Sequence, residues 1–144
     1  MFRQAYMSGP LTGLLHPAEV TGFYEALRDA CAARGLPLYL PHRVSDPVAN
    51  PGMTPQEVYA LDRARVAEAD LLIAYVGLPS LGVGCEIEIA HAHGIPVVLL
   101  AEQGAAVSRM IRGNPAVIAE LRFTGYADAA RQLGAWLARD GKGL

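Results

Sequence analysis

The sequence predicts an α/β fold: an open parallel sheet with helices packed on both faces. Three observations point to it. Short apolar runs alternate with stretches of helical spacing along the 144 residues. The runs at 71–76 and 95–100 are almost wholly apolar, as strands covered on both faces must be. Turn and helix-stop residues fall between the runs, with no repeat or low-complexity tract among them.

The elements follow in order. Residues 2–7 read as a first strand that ends in the turn residues Ser8-Gly9-Pro10. Over 17–34, Val20, Phe23, Tyr24, Leu27 and Cys31 recur at helical spacing, and Gly35 is placed to stop the helix. A brief second strand covers 37–40. The segment 41–53, rich in Pro, Asp, Asn and Gly, is a loop long enough to be a lid or a site wall. Thr54-Pro55-Gln56-Glu57 opens a helix with a capping box and a proline suited to the first turn, and it runs to about Glu68. Strand 71–76 leads through a glycine-containing loop to a helix from about Gly84 to His93. A fourth strand covers 95–100. A short helix at 107–111, a weak fifth strand at 121–124 and a last helix at 128–139 complete the chain.

Bulk properties narrow the functions. The length suits a single domain over residues 1–144, and 52% hydrophobic residues are enough for a substantial core. A net charge of −2 argues against a grip on a nucleic acid polymer. Cys31 and Cys85 form no disulfide framework or metal spacing, and Cys31 reads as a buried apolar filler. No signal-peptide pattern or membrane-length apolar run is present, so a cytoplasmic location and no membrane partner are expected. The histidines at 16, 42, 91 and 93 do not converge by spacing on a metal. Neither a metal nor an organic cofactor is expected.

Two acidic residues break the local pattern. Asp62 lies four residues from both Val58 and Val66 and so shares their inward face. Either the helix tilts so that Asp62 reaches solvent or an arginine, or Asp62 is a site acid. In Pro79-Ser80-Leu81-Gly82-Val83-Gly84-Cys85-Glu86, the glycines permit a tight turn with backbone amides facing a ligand. Glu86 then falls in the first turn of the following helix, where the dipole favours its ionised form. Helix capping and nucleophilic attack both fit that position. The Gly-x-Gly here is neither a Walker loop nor a dinucleotide fingerprint. In an open α/β sheet, ligands bind beyond the carboxyl ends of the strands, which singles out the loops at 8–16, 41–53, 77–85 and 101–107.

Together, Tyr6-Met7-Ser8-Gly9-Pro10, Asp62 with Ala69-Asp70-Leu71-Leu72-Ile73-Ala74, the run from Pro79 to Glu86 and Ser108-Arg109-Met110-Ile111-Arg112-Gly113 resemble the nucleoside 2-deoxyribosyltransferase superfamily. The chain is most similar to its hydrolytic branch, the 2′-deoxynucleoside 5′-monophosphate N-glycosidases. The resemblance implies a flavodoxin-like, Rossmann-like three-layer sandwich with a five-stranded parallel sheet. It also implies a homodimer whose active sites are shared across the interface.

Carried over by position, Glu86 matches the nucleophile, Tyr6 the phenol that orients it, and Asp62 the acid that serves the sugar and the departing base. Ser80, Gly82 and Gly84 match a 5′-phosphate cradle. Ser108 matches a serine that reaches the neighbouring subunit's phosphate. His42 falls where a loop histidine lines the pocket, and Ser8, Gly9 and Met110 join the expected substrate contacts. Ser80, where free-nucleoside transferases carry an Asp, favours a phosphate because a hydroxyl donates to an anion that a carboxylate would repel. Glu88, where the family often has Gly, and a first loop without a basic residue depart from the pattern.

The expected activity is hydrolysis of the N-glycosidic bond of a (2′-deoxy)nucleoside 5′-monophosphate, giving free base and (deoxy)ribose 5-phosphate through a glycosyl-Glu86 intermediate. Base exchange by a transferase, hydrolysis of a ribonucleotide such as cytidine monophosphate, and nucleotide sensing without catalysis are the alternatives.

Overall fold

The computed structural model of the chain describes residues 1–141. Five strands, β1 (Ala5–Ser8), β2 (Leu38–Tyr39), β3 (Leu71–Tyr75), β4 (Val97–Glu102) and β5 (Val117–Phe123), form one sheet in the order β2-β1-β3-β4-β5. Every pairing is parallel, which is the doubly wound order of flavodoxin-like folds. The helices are α1 (Pro17–Ala32), α2 (Pro55–Glu68), α3 (Leu81–Ala92), α4 (Arg109–Arg112) and α5 (Tyr126–Arg139). Among the described residues, no helix is long and apolar enough to cross a membrane.

Side-chain alternation along the strands divides the interior into two cores. Ala5, Met7, Leu71, Ile73, Tyr75, Val98 and Leu100 pack against α1 and α5. Tyr6, Leu72, Ala74, Val97, Leu99 and Ala101 pack on the opposite face with Val66 of α2 and Val83 and Ile87 of α3. This period of two explains why β3 and β4 read as continuous apolar runs: both of their faces are covered. It also aims Tyr6 and Ser8 of β1 toward the α2/α3 side.

Local chemistry explains the helix starts. Thr54 Oγ1 accepts from the Glu57 amide at 3.1 Å, while the Thr54 amide donates to Glu57 Oε2 at 2.8 Å, so α2 begins with the full capping box. At α3, Ser80 is the cap and its Oγ accepts from the Val83 amide at 3.3 Å. The helix therefore starts three residues earlier than its glycines suggest, and Gly82 and Gly84 lie inside it. This corrects the expected position of Glu86, which sits in the second turn, beyond the reach of the helix dipole. Strand β5 starts at Val117 instead of 121 because it is an edge strand, and Glu120 and Arg122 interrupt its apolar pattern. Helix α5 starts at Tyr126, two residues early, with Asp128 accepting from the Thr124 amide at 3.1 Å.

The loop leaving β1 is held against α1. Tyr24 donates its hydroxyl proton to the Pro10 carbonyl at 2.8 Å, and its ring packs so close to Gly9 that a Cβ there would meet it at 2.4 Å. Only a residue without a side chain fits. Gly9→Ala should therefore destabilise the fold by roughly 1–3 kcal/mol, read from the urea midpoint at unchanged slope. An unaltered midpoint would mean that the Tyr24 ring moves aside freely.

Candidate active site

A cavity of about 590 Å³ opens at the carboxyl ends of β1, β2 and β3. The loop after β1 gives it Gly9, Leu11 and Thr12, and the loop after β3 gives it Pro79 and Ser80. Between β1 and β3 the chain changes winding direction, the place where α/β sheets leave a crevice. Asp62 reaches the cavity from α2 and Glu86 from α3, so two residues 24 positions apart bring their carboxyls to one space.

Beneath that space lies Tyr6, fully buried on β1. Its ring stacks on Tyr39 of β2 with centroids 5.5 Å apart. The Tyr6 hydroxyl lies close enough to both carboxyls to feel their charge, yet no partner meets it in full hydrogen-bond geometry. One oxygen of Asp62, Oδ1, is likewise buried without a partner. Ser8, two residues along the same strand face, donates its hydroxyl to Glu86 Oε1 at 3.0 Å. Arg65 of α2 lies over the outer ring, 5.4 Å from the Tyr39 centroid.

Burial dominates the electrostatics. It pushes the Glu86 carboxyl up to about 7; the nearby Asp62 charge adds to the rise, and the Tyr6 and Ser8 hydroxyls offset part of it. Burial also raises Asp62 above the usual carboxylate range, against the opposing effect of Tyr6. Tyr6 is held neutral by burial, reinforced by the charges of Glu86 and Asp62. Two acids with raised affinity for protons and an uncharged phenol can share the work of attack and proton transfer.

The remaining expected contacts divide between this cavity and its surroundings. Ser80 and Gly82 line it, at the N-terminus of α3. Gly84 does not: its amide already donates to the Ser80 carbonyl at 3.2 Å, so it has no donor left for a phosphate, and the residue faces a second cavity. Ser108 caps α4 in that second cavity, which has a volume of about 440 Å³ and includes Val107 and Ile111 in its wall. Met110 on α4 is 85% exposed.

His42 is turned away from the expected role. Its Nε2 pairs with Glu25 Oε1 at 3.0 Å, Arg43 grips the same carboxylate, and the ring is outside the cavity wall. That carboxylate on α1 offers the imidazole a charged partner, and it wins over the pocket. Ser45 and Asn50, by contrast, do line the cavity and were missed. The only signal for them was the length of the 41–53 loop.

No family model matches the chain. The protein named "putative 2′-deoxynucleoside 5′-phosphate N-hydrolase 1" of Methanosarcina mazei is 36% identical over 135 residues, covering 91% of this chain and 81% of its own. The chain belongs to the 2′-deoxynucleoside 5′-phosphate N-hydrolase family. Among solved structures, the cytidine monophosphate N-glycosidase BcmB of Clostridium botulinum superimposes with a TM-score of 0.71 at 22% identity, over 93% of this chain and 99% of its own. A 2-deoxyribosyltransferase of Bacillus psychrosaccharolyticus gives 0.66 at 17% identity, over 90% and 95%. At these identities the two structures show a shared fold. The N-hydrolase family membership makes this chain an N-glycosidase.

The site of this N-hydrolase family member carries a cost in stability that depends on pH. Because Glu86 holds its proton more tightly when folded (about 7) than at the ordinary 4.5, the favourable contribution is complete below about 4.5 and is lost as pH rises toward 7. Glu86→Gln removes that loss. The variant should be more stable than the parent at pH 8, by up to roughly 3 kcal/mol, with the gap closing as pH falls from about 7 to about 4.5. Thermal unfolding across pH measures it, and a gap that does not vary with pH would contradict the shifted carboxyl.

Proposed function

We propose that this N-glycosidase hydrolyses (2′-deoxy)nucleoside 5′-monophosphates by double displacement at Glu86. One observation carries the reading: Glu86 and Asp62 face a single cavity above a buried, uncharged Tyr6. The 5′-phosphate substrate class is supported by the relative's name and by the cavity rim. There Ser80 offers a hydroxyl and α3 its first amides in place of a carboxylate.

In the first step a Glu86 oxygen bonds to the anomeric carbon through an oxocarbenium-like transition state while the bond to the base nitrogen breaks. The base leaves with the bonding electrons and takes a proton from Asp62, which carries the proton shared by the two acids when Glu86 is ionised. In the second step Asp62, now a carboxylate, takes a proton from water as the water oxygen bonds to the anomeric carbon. The ester bond breaks, and Glu86 returns as a carboxylate beside sugar 5-phosphate. Tyr6 and the pocket contacts from Gly9, Ser80 and Gly82 hold the reactants in line.

The reading includes a homodimer with sites completed across the interface. It is supported by Met110 and Leu81, 85% and 93% exposed beside the second cavity. Ser108 on the same surface would reach the partner's phosphate.

Glu86→Ala should lower release of free base from deoxynucleoside monophosphates by roughly 10³-fold or more, as loss of a covalent nucleophile does, measured by chromatography. With Asp62→Asn and a deoxynucleoside monophosphate whose base departs without protonation, acid-quenched protein should carry the mass of a deoxyribose phosphate on the peptide containing Glu86. Near-normal turnover by Glu86→Ala would end the assignment. Sedimentation at assay concentration should give the mass of two chains, and a fully active monomer would end the shared-site reading.

A further inference from the structure

Ser8 was expected to touch substrate, but its position excludes that role. It is completely buried at the end of β1, in register with Ala74 of β3. Its hydroxyl has one proton to donate, and that proton goes to Glu86 Oε1 at 3.0 Å. No part of Ser8 lines the cavity. The contact joins residues 78 positions apart, so it exists only once α3 has docked on the sheet.

We propose that Ser8 is a positioning residue for Glu86, holding Oε1 from behind so that the carboxyl keeps one orientation and presents its other oxygen to the anomeric carbon. The inference rests on Glu86 being the nucleophile. Two features of the site make the hold consequential. A glutamate side chain has three rotatable bonds, and attack on a ring carbon tolerates little misplacement of the oxygen. In addition, a hydrogen bond donated to a carboxylate favours its charged form, here against burial and the neighbouring Asp62.

The groups that face Glu86 are Tyr6 and Ser8 from β1, Asp62 from α2 and Tyr24 from α1. Asp62 opposes its ionisation, Tyr6 and Ser8 favour it, and Tyr24 is held neutral by burial. Of the two hydroxyls that favour it, only Ser8 meets the carboxyl in full hydrogen-bond geometry.

The test compares Ser8→Ala and Ser8→Thr with the parent, using base release from a deoxynucleoside monophosphate at saturating and limiting substrate over pH 5–9. Ser8→Ala, which removes one buried oxygen, should lower kcat roughly tenfold to hundredfold, the scale of a lost hydrogen bond to a charged group, with KM nearly unchanged. The acid limb of kcat/KM should move to higher pH, because Glu86 would hold its proton more strongly. Ser8→Thr, which keeps the hydroxyl, should return the limb toward its parental position.

A general packing defect would lower the melting temperature and leave the limb where it was, and that outcome overturns the proposal. A rise in KM at constant kcat also overturns it, by making Ser8 a substrate contact. Glu86→Ala run alongside separates the two readings. If it is inactive while Ser8→Ala matches the parent, only the role of Ser8 falls. If Glu86→Ala is active, the nucleophile assignment falls and the positioning role with it.

Discussion

The site is organised by two partly buried carboxyl groups brought to one cavity. Left in water, Glu86 and Asp62 would ionise and repel weakly; at the cavity, burial makes ionisation of both harder, and the charge of Asp62 adds to the rise at Glu86. Everything around them answers to that constraint. The phenol beneath them stays neutral, the serine behind Glu86 donates to it, and the helices carrying the acids are anchored by capping serine and threonine side chains. A protein selected for stability alone would have no reason to bury both groups.

The sheet makes that arrangement possible. Alternation along β1 turns Tyr6 and Ser8 to the same face, and β1 lies between β2 and β3, next to the change in winding direction. The cavity floor is thus built from a strand whose neighbours on both sides hold it in register, while its walls come from loops. The other face of the same strand secures Ala5 and Met7 in the second core. Support and chemistry share four residues without conflict.

Much of this was legible in the sequence, and the misses have physical causes. The continuous apolar character of β3 and β4 reported their burial on two faces, and Thr54 with Glu57 reported the start of α2. Asp62 could be read as inward from its spacing to Val58 and Val66. The start of α3 was misread because its two glycines suggest a turn, whereas the Ser80 cap and the packing of Val83 and Ile87 carry the helix through them. The source of the Glu86 electrostatics was misjudged for the same reason: burial, not the helix end, controls it. The pairing of His42 with Glu25 joins two elements with no local sequence sign. Likewise, nothing in the 41–53 loop marked Ser45 or Asn50 as wall residues rather than solvent-facing ones.

The cavity wall carries two acids and, among the described residues, no lysine, arginine or histidine. Whatever anion enters is therefore welcomed within the subunit by dipoles alone: hydroxyls and the first amides of a helix. Dipolar attraction acts over short range and is oriented, so it rewards a correctly seated guest and does little to draw strangers from a distance. Such a pocket gives up rapid electrostatic capture, and selects instead by fit at close range.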